Sequence, residues 1–171
     1  MGTTLETAPG TVRIRRLMAS DREAIRRMTY AAGVFTQEEI STALELVDID
    51  LTRPGQDDYT TYCAVQEGQA TPAGYACFGR APMTEGTYDL YWIVVDPAAQ
   101  KRSVGSRLLG FVEDLLRQRG ARIILAESSG LPRYGPARAF YARHGYEETA
   151  RLKDFYKPGD DKVIFAKRFS L

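Results

Sequence analysis

Between Thr87 and Gly120 the hydrophobic pattern changes period once, and that change limits the folds open to this chain. Residues 87–95 are a β-rich run of Tyr, Trp, Ile and Val, stopped by Asp96-Pro97. Residues 103–119 then carry Leu108, Leu109, Val112, Leu115 and Leu116 on one helical stripe that ends at Gly120. A long strand feeding a long helix through a short loop calls for a sheet with a helical layer on it. The other segments agree. Residues 12–17 alternate apolar and basic side chains (Val12, Arg13, Ile14, Arg15), which predicts a strand with one buried face. Ser20 is placed to cap a helix with Asp21 and Glu23 in its first turn, Ala24, Ile25 and Met28 on its apolar stripe and Gly33 at its end. Thr36 and Glu39 have capping-box spacing ahead of a second helix bearing Ile40, Leu44 and Val47. Residues 59–66 and 74–80 are strand-like around a turn region at 68–72. Residues 123–126 read as a short buried strand, 136–144 as a helix stopped by Gly145, and 162–169 as a final strand. The order β, α, α, β, β, β, α, β, α, β predicts an α/β or α+β sheet layered by helices.

A chain of 171 residues with 44% hydrophobic residues has enough apolar side chain for one domain, predicted over residues 12–171 behind a polar, turn-rich lead-in at 1–11. Lys and Arg number 23 against 22 Asp and Glu, so no excess of charge points to nucleic acid or a membrane surface. The ends carry no signal-peptide pattern, and no apolar run approaches a membrane span, which predicts a soluble cytoplasmic protein. Cys63 and Cys77 sit in apolar strand-like segments and read as buried reduced thiols, with one disulfide between them left open. No Cys or His cluster offers metal-ligand spacing, and no Ser-His-Asp set is recognisable.

The loop between the long strand and the long helix carries most of the chemical information. Its small residues and Lys101, Arg102 and Arg107 lead into a helix whose first N–H groups have no intrahelical acceptor, an arrangement that binds a pyrophosphate largely through backbone. The same residues also suit a solvated basic helix start. Gln100, Ser103 and Gly105 resemble the acyl-coenzyme A loop of the GNAT N-acetyltransferase superfamily, whose pattern is Gln or Arg, two residues, Gly, one residue, then Gly or Ala. Ser103 departs from it, and a Cβ there restricts the backbone where it approaches phosphate. Residues 137–146, with Phe140, Tyr141, Gly145 and Tyr146, resemble the family's C-terminal helix motif, and the likeness extends over residues 12–169.

The resemblance implies a mixed, mostly antiparallel central sheet flanked by helices on both faces, and acetyl-CoA as cosubstrate with no metal. It implies that the backbone of Ile93, Val94 and Val95 holds the pantetheine arm and thioester, and that Gln100, Lys101, Arg102, Ser103, Val104, Gly105, Ser106 and Arg107 hold the pyrophosphate. Tyr141 matches the tyrosine that protonates the leaving thiolate; Tyr134 stands where the family often has Asn. An alkyl ammonium must lose a proton before it can attack, and Asp89, eleven residues before Gln100, matches a catalytic carboxylate of some members. Period two places Asp89, Tyr91, Ile93 and Val95 on one strand face. Glu127 is the competing carboxylate, and both acids also suit structural ion pairs. His144, just before Gly145, suits terminal helix carbonyls rather than catalysis. Residues 38–58 hold seven acidic residues against Arg53 alone. By the resemblance they border an acceptor groove with Phe35, Glu38, Tyr91 and Phe155 as substrate contacts. The leading expectation is an N-acetyltransferase acting on a small-molecule amine by direct transfer. The alternatives are a different donor, such as a longer acyl-CoA or an aminoacyl-tRNA, and a non-catalytic coenzyme A-binding module. Pairing into a homodimer stays open by analogy with similar folds.

Overall fold

The computed structural model describes residues 11–100 and 103–170. The strands are β1 (Val12–Arg16), β2 (Thr60–Gln66), β3 (Pro72–Arg80), β4 (Thr87–Val95), β5 (Ile123–Ser129), β6 (Glu147–Lys157) and β7 (Asp160–Arg168), and the helices α1 (Arg22–Ala31), α2 (Gln37–Thr52), α3 (Val104–Gln118) and α4 (Gly135–Arg143). The strands form one sheet in the order β1-β2-β3-β4-β5-β7-β6. Every neighbouring pair is antiparallel except β4 and β5, so the mixed, mostly antiparallel sheet is present.

Both faces are covered, because apolar side chains emerge on both sides of the central strands. Ile25 and Met28 of α1 and Val47 of α2 pack with Cys63, Tyr75 and Val94 on one face. On the other, Leu108, Leu109, Val112 and Leu116 of α3 and Tyr141 of α4 pack with Ala76, Phe78, Leu90, Ile124 and Phe165. Both cysteines are free and buried. The β2–β3 ladder places Cys63 opposite Tyr75 and Cys77 opposite Thr61.

Local signals form as their chemistry requires, with one exception. Thr36 accepts from the Glu39 N–H at 3.2 Å while its own N–H donates to the Glu39 carboxylate at 2.7 Å, the predicted capping box. Ser20 caps nothing. It lies in a 3-10 turn whose reciprocal partner is Asp21, which accepts from the Met18 N–H at 2.8 Å. Asp21 is 2% exposed and also takes both ends of the Arg15 guanidinium at 2.7 and 2.9 Å, tying β1 to the start of α1.

Strand β6 is a correction to the predicted order. It is the outer strand, exposed along its whole length, so its side chains show neither an alternating nor a helical apolar period. Residues 154–161 are the bulged end of the β6–β7 hairpin. Leu152 faces Lys162 and Lys157 faces Asp160, so residues 153–156 stand opposite Asp161 alone. Asp154, at φ 54°, donates its N–H to Asp161 at 3.0 Å and accepts the Gly159 N–H at 2.7 Å. That bulge carries Phe155 and Tyr156.

Candidate active site

Strand pairing between β4 and β5 ends at Leu90 with Ala126; beyond it Glu127, Ser128 and Ser129 pair only with β7. The two parallel strands therefore part in the middle of the sheet, which frees the β5-facing peptide groups of residues 91–95. β4 also bulges at this point. Trp92 pairs with Cys77 and Leu90 with Phe78, leaving Tyr91 as the inserted residue. The bulge reverses the strand's alternation and overturns the single-face assignment of Asp89, Tyr91, Ile93 and Val95. Tyr88 and Leu90 before it, and Ile93 and Val95 after it, all pack on the α3 and α4 face, whereas Trp92 and Val94 pack on the α1 and α2 face. Asp89, between Tyr88 and Leu90, thus projects toward the α1 and α2 side. Gly79 makes room for this geometry: a Cβ there would overlap the Asp58 carbonyl oxygen and sit 3.1 Å from the Tyr91 ring.

The loop after β4 leads into the free N-terminus of α3. Asp96 caps a short 3-10 turn by accepting the Ala98 N–H at 2.9 Å, and Gln100 follows, exposed, as that turn's C-cap. Lys101 and Arg102 lie outside the described residues. Ser103 stands at the N-cap of α3 in the left-handed conformation, φ 59°, with no side-chain cap hydrogen bond. Among the described residues the first helical hydrogen bond closes from Arg107 N–H to Ser103 O at 3.0 Å, so the N–H groups of Val104, Gly105 and Ser106 come before it. The Val104 side chain is buried in the core, leaving its backbone for a ligand, while the Arg107 side chain is exposed. A Cβ on Gly105 would sit 3.4 Å from both Phe140 and Val95, ordinary contact distance, so the cleft between α3, α4 and β4 admits no more than a small side chain there. These features fit the diphosphate and arm of coenzyme A.

Helix α4 closes the cleft from the other side. Tyr141 is 7% exposed and its ring meets Tyr146 and Phe165, each at 5.7 Å. Burial pushes its hydroxyl up to about 12, so it is a neutral O–H donor at neutral pH. His144 does hold a helix-end carbonyl, Nδ1 lying 2.8 Å from Phe140 O. With Nδ1 as donor, Nε2 accepts from the Ser106 hydroxyl at 2.9 Å, a link between the α3 start and α4 that spacing alone does not suggest.

At the mouth of the wedge Asp89 is half-buried, and its carboxyl is held above the usual range, first by burial and then by Glu127, against a smaller opposing pull from Lys162. No hydrogen bond or ion pair to Asp89 is formed among the described residues. Glu127 is satisfied: Lys162 Nζ lies 2.7 Å from it and also 4.7 Å from the Phe155 ring centre. Phe155 meets Tyr156 edge-on at 5.0 Å, and Tyr91 meets Tyr59 edge-on at 5.4 Å. Phe35 packs against Trp92 at 5.2 Å and Tyr134 at 6.2 Å. The Tyr134 hydroxyl donates to the Glu39 carboxylate, with its two oxygens at 2.9 and 2.8 Å. Glu38 is exposed on the first turn of α2, whereas Glu39 faces the site. Tyr156 belongs with Phe155 to the 154–161 segment whose aromatics the sequence offers as pocket walls, whereas Glu39, Tyr59 and Lys162 are not singled out by the sequence as site residues; for Lys162 the only signal is its place at the start of the predicted final strand.

The acidic run of residues 38–58 is partly neutralised in space by bases from other elements. Asp48 pairs with Arg22 at 2.6 Å, and Asp50 with Arg16 at 2.7 Å while accepting the Thr61 N–H at 2.7 Å.

A sequence profile of the Acetyltransferase (GNAT) family matches residues 23–146. No curated protein matches the chain in sequence. Among solved structures, an acetyltransferase of the GNAT family from Desulfovibrio desulfuricans is 42% identical, covers 92% of this chain and 99% of its own, and superposes with a TM-score of 0.88. The ribosomal-protein-S18-alanine N-acetyltransferase of Escherichia coli is 22% identical, with 94% and 96% coverage and a TM-score of 0.73. PaiA N-acetyltransferase of Thermoplasma acidophilum, solved with coenzyme A, is 17% identical, with 93% and 99% coverage and a TM-score of 0.65. These last two likenesses speak for the fold alone. With the profile running from α1 to the end of the α4 motif and the Desulfovibrio protein matched nearly end to end, the chain belongs to the GNAT acetyltransferase family.

Proposed function

We propose that the protein is an acetyl-CoA-dependent N-acetyltransferase that transfers the acetyl group directly to the amine of a small molecule. The observation that carries this reading is Asp89, a half-buried carboxylate without a bonded partner among the described residues, standing where β4 and β5 part. Its raised affinity for a proton suits a group that must take one from an ammonium. The neutral amine then attacks the thioester carbon, and the free peptide N–H groups around Ile93 and Val95 stabilise the oxyanion. Collapse of the tetrahedral intermediate breaks the carbon–sulfur bond and the thiolate takes the Tyr141 proton; the second proton, shed by the nitrogen as it becomes an amide, passes to solvent, from which Tyr141 is reprotonated, and Asp89 releases the first proton to solvent. The thiols of Cys63 and Cys77 are each pushed up to about 12 by burial, which favours direct transfer over an acyl-cysteine.

The test is a thermal-shift series with acetyl-CoA, longer acyl-CoAs and free coenzyme A, followed by thiol release with an amine panel. Stabilisation by acetyl-CoA and amine-dependent thiol release are the expected results. If no coenzyme A species stabilises the protein, the donor assignment fails. A preference for a longer acyl-CoA revises the donor, and binding without turnover by any amine favours a non-catalytic coenzyme A-binding module.

A further inference from the structure

We infer that His144 is a positioning residue for the donor, which takes up a proton as coenzyme A binds and so turns the Ser106 hydroxyl toward the diphosphate. The inference rests on the acetyltransferase reading and adds a residue to its donor site. The imidazole meets the protein through both nitrogens. Nδ1 lies 2.8 Å from Phe140 O, which can only accept, so Nδ1 carries a proton whether the ring is neutral or charged. Nε2 lies 2.9 Å from Ser106 Oγ, and this contact changes sense with the charge. A neutral ring accepts there, and the Ser106 proton is committed to it. A charged ring donates, and the Ser106 proton is released for another acceptor.

That acceptor has a defined place. Side chains in an α-helix lean toward its N-terminus, so Ser106 Oγ lies at the end of α3 where the N–H groups of Val104, Gly105 and Ser106 come before the first helical hydrogen bond. A Ser106 hydroxyl committed to Nε2 turns only lone pairs to a phosphate there, whereas a released one donates to it. No carboxylate is bonded to the imidazole among the described residues. In the chain the contact is flanked by Arg107 on α3, Arg143 on α4 and Glu147 on β6, all exposed. From β7 the Lys167 side chain passes Gly145, 3.8 Å from where a Cβ would stand, and its ammonium is paired with Glu113 at 2.6 Å. An incoming diphosphate is therefore the counter-ion that a proton on Nε2 lacks. Proton and donor then favour each other by one and the same factor.

Because the chain holds one histidine, its imidazole signals in NMR spectra of the whole protein report this group alone. At about pH 7.5, saturation with coenzyme A is expected to move them toward their acid-limit positions, and to move them about half as far or less in Ser106→Ala. By calorimetry, the dissociation constant of the parent for coenzyme A is expected to weaken at least about threefold between about pH 6 and about pH 8 relative to that of His144→Gln, whose side chain is neutral at both. Unmoved signals in a protein that coenzyme A does stabilise against heat overturn this inference alone, as does the same pH dependence in the parent and His144→Gln. Full movement in folded Ser106→Ala shows that charge by itself draws the proton, and overturns the part given to the hydroxyl. If no coenzyme A species stabilises the protein, the donor assignment fails and this inference falls with it.

Discussion

Ser103 holds a left-handed backbone, φ 59°, at the position where the family's loop has glycine. A Cβ in that conformation costs about 1–2 kcal/mol, and no side-chain hydrogen bond at the cap offsets it. Ser103→Gly is therefore expected to stabilise the protein by about 0.5–1 kcal/mol in denaturant titrations, the remainder being lost to the greater freedom of glycine in the unfolded chain. It should also leave acetyl-CoA affinity equal or tighter, because the amides of Val104, Gly105 and Ser106 keep their aim. Tyr141 makes the opposite kind of prediction. Its hydroxyl lies in the core-facing layer with burial as the sole cause of its raised proton affinity, so Tyr141→Phe removes a donor without breaking a bond. Turnover is expected to fall about 10²-fold while the dissociation constant for coenzyme A changes little. Equal losses in both would assign Tyr141 to binding rather than to proton transfer.

The elements divide into those that composition and period reveal and those that depend on a single inserted residue. Helices α1, α2 and α3 are legible because their stripes must face the sheet, and the loop before α3 because its residue types recur with a definite spacing. The bulge at Tyr91 is not legible: one extra residue on β4 alters no composition and no propensity, yet it turns Ile93 and Val95 to the face opposite Asp89. β6 is hidden for the complementary reason, that an edge strand exposed on every residue has no buried face to impose an alternation. The aromatic mouth needs both, since Tyr91 comes from one bulge and Phe155 and Tyr156 from the other. Gly79 tests the first of these. The Asp58 carbonyl occupies the space of its absent Cβ, so Gly79→Ala must push the segment before β2 off β3 or flatten the bulge. A loss of about 1–3 kcal/mol is expected in chemical unfolding, together with altered circular dichroism from the Tyr59 and Tyr91 pair.

Across the whole molecule, stability and function draw on carboxylates of opposite kind. Burial works against ionisation of Asp21, but the Arg15 guanidinium and the Met18 N–H outweigh it and hold the carboxyl below the ordinary range. Its contribution to stability is therefore present above the unfolded value of about 3.9 and is lost as pH falls through the lower folded value. Asp21→Asn breaks a buried pair that joins β1 to α1 and should cost about 3 kcal/mol at neutral pH. Asp89 has the reverse sign. Its folded value is raised by burial and by Glu127, so the folded state is favoured most below the unfolded value and is increasingly disfavoured as pH rises through the folded one. Asp89→Asn is thus expected to raise the melting temperature at neutral pH, with the gain vanishing in acid, while lowering turnover by about 10²–10⁴-fold. Melting curves of the parent and both variants across pH would separate the two. If Asp89→Asn neither stabilises the fold nor slows the reaction, Asp89 is a solvated surface acid and the base lies elsewhere; if it stabilises and inactivates together, the carboxylate is held at the wedge at the expense of the fold, as a catalytic group would be.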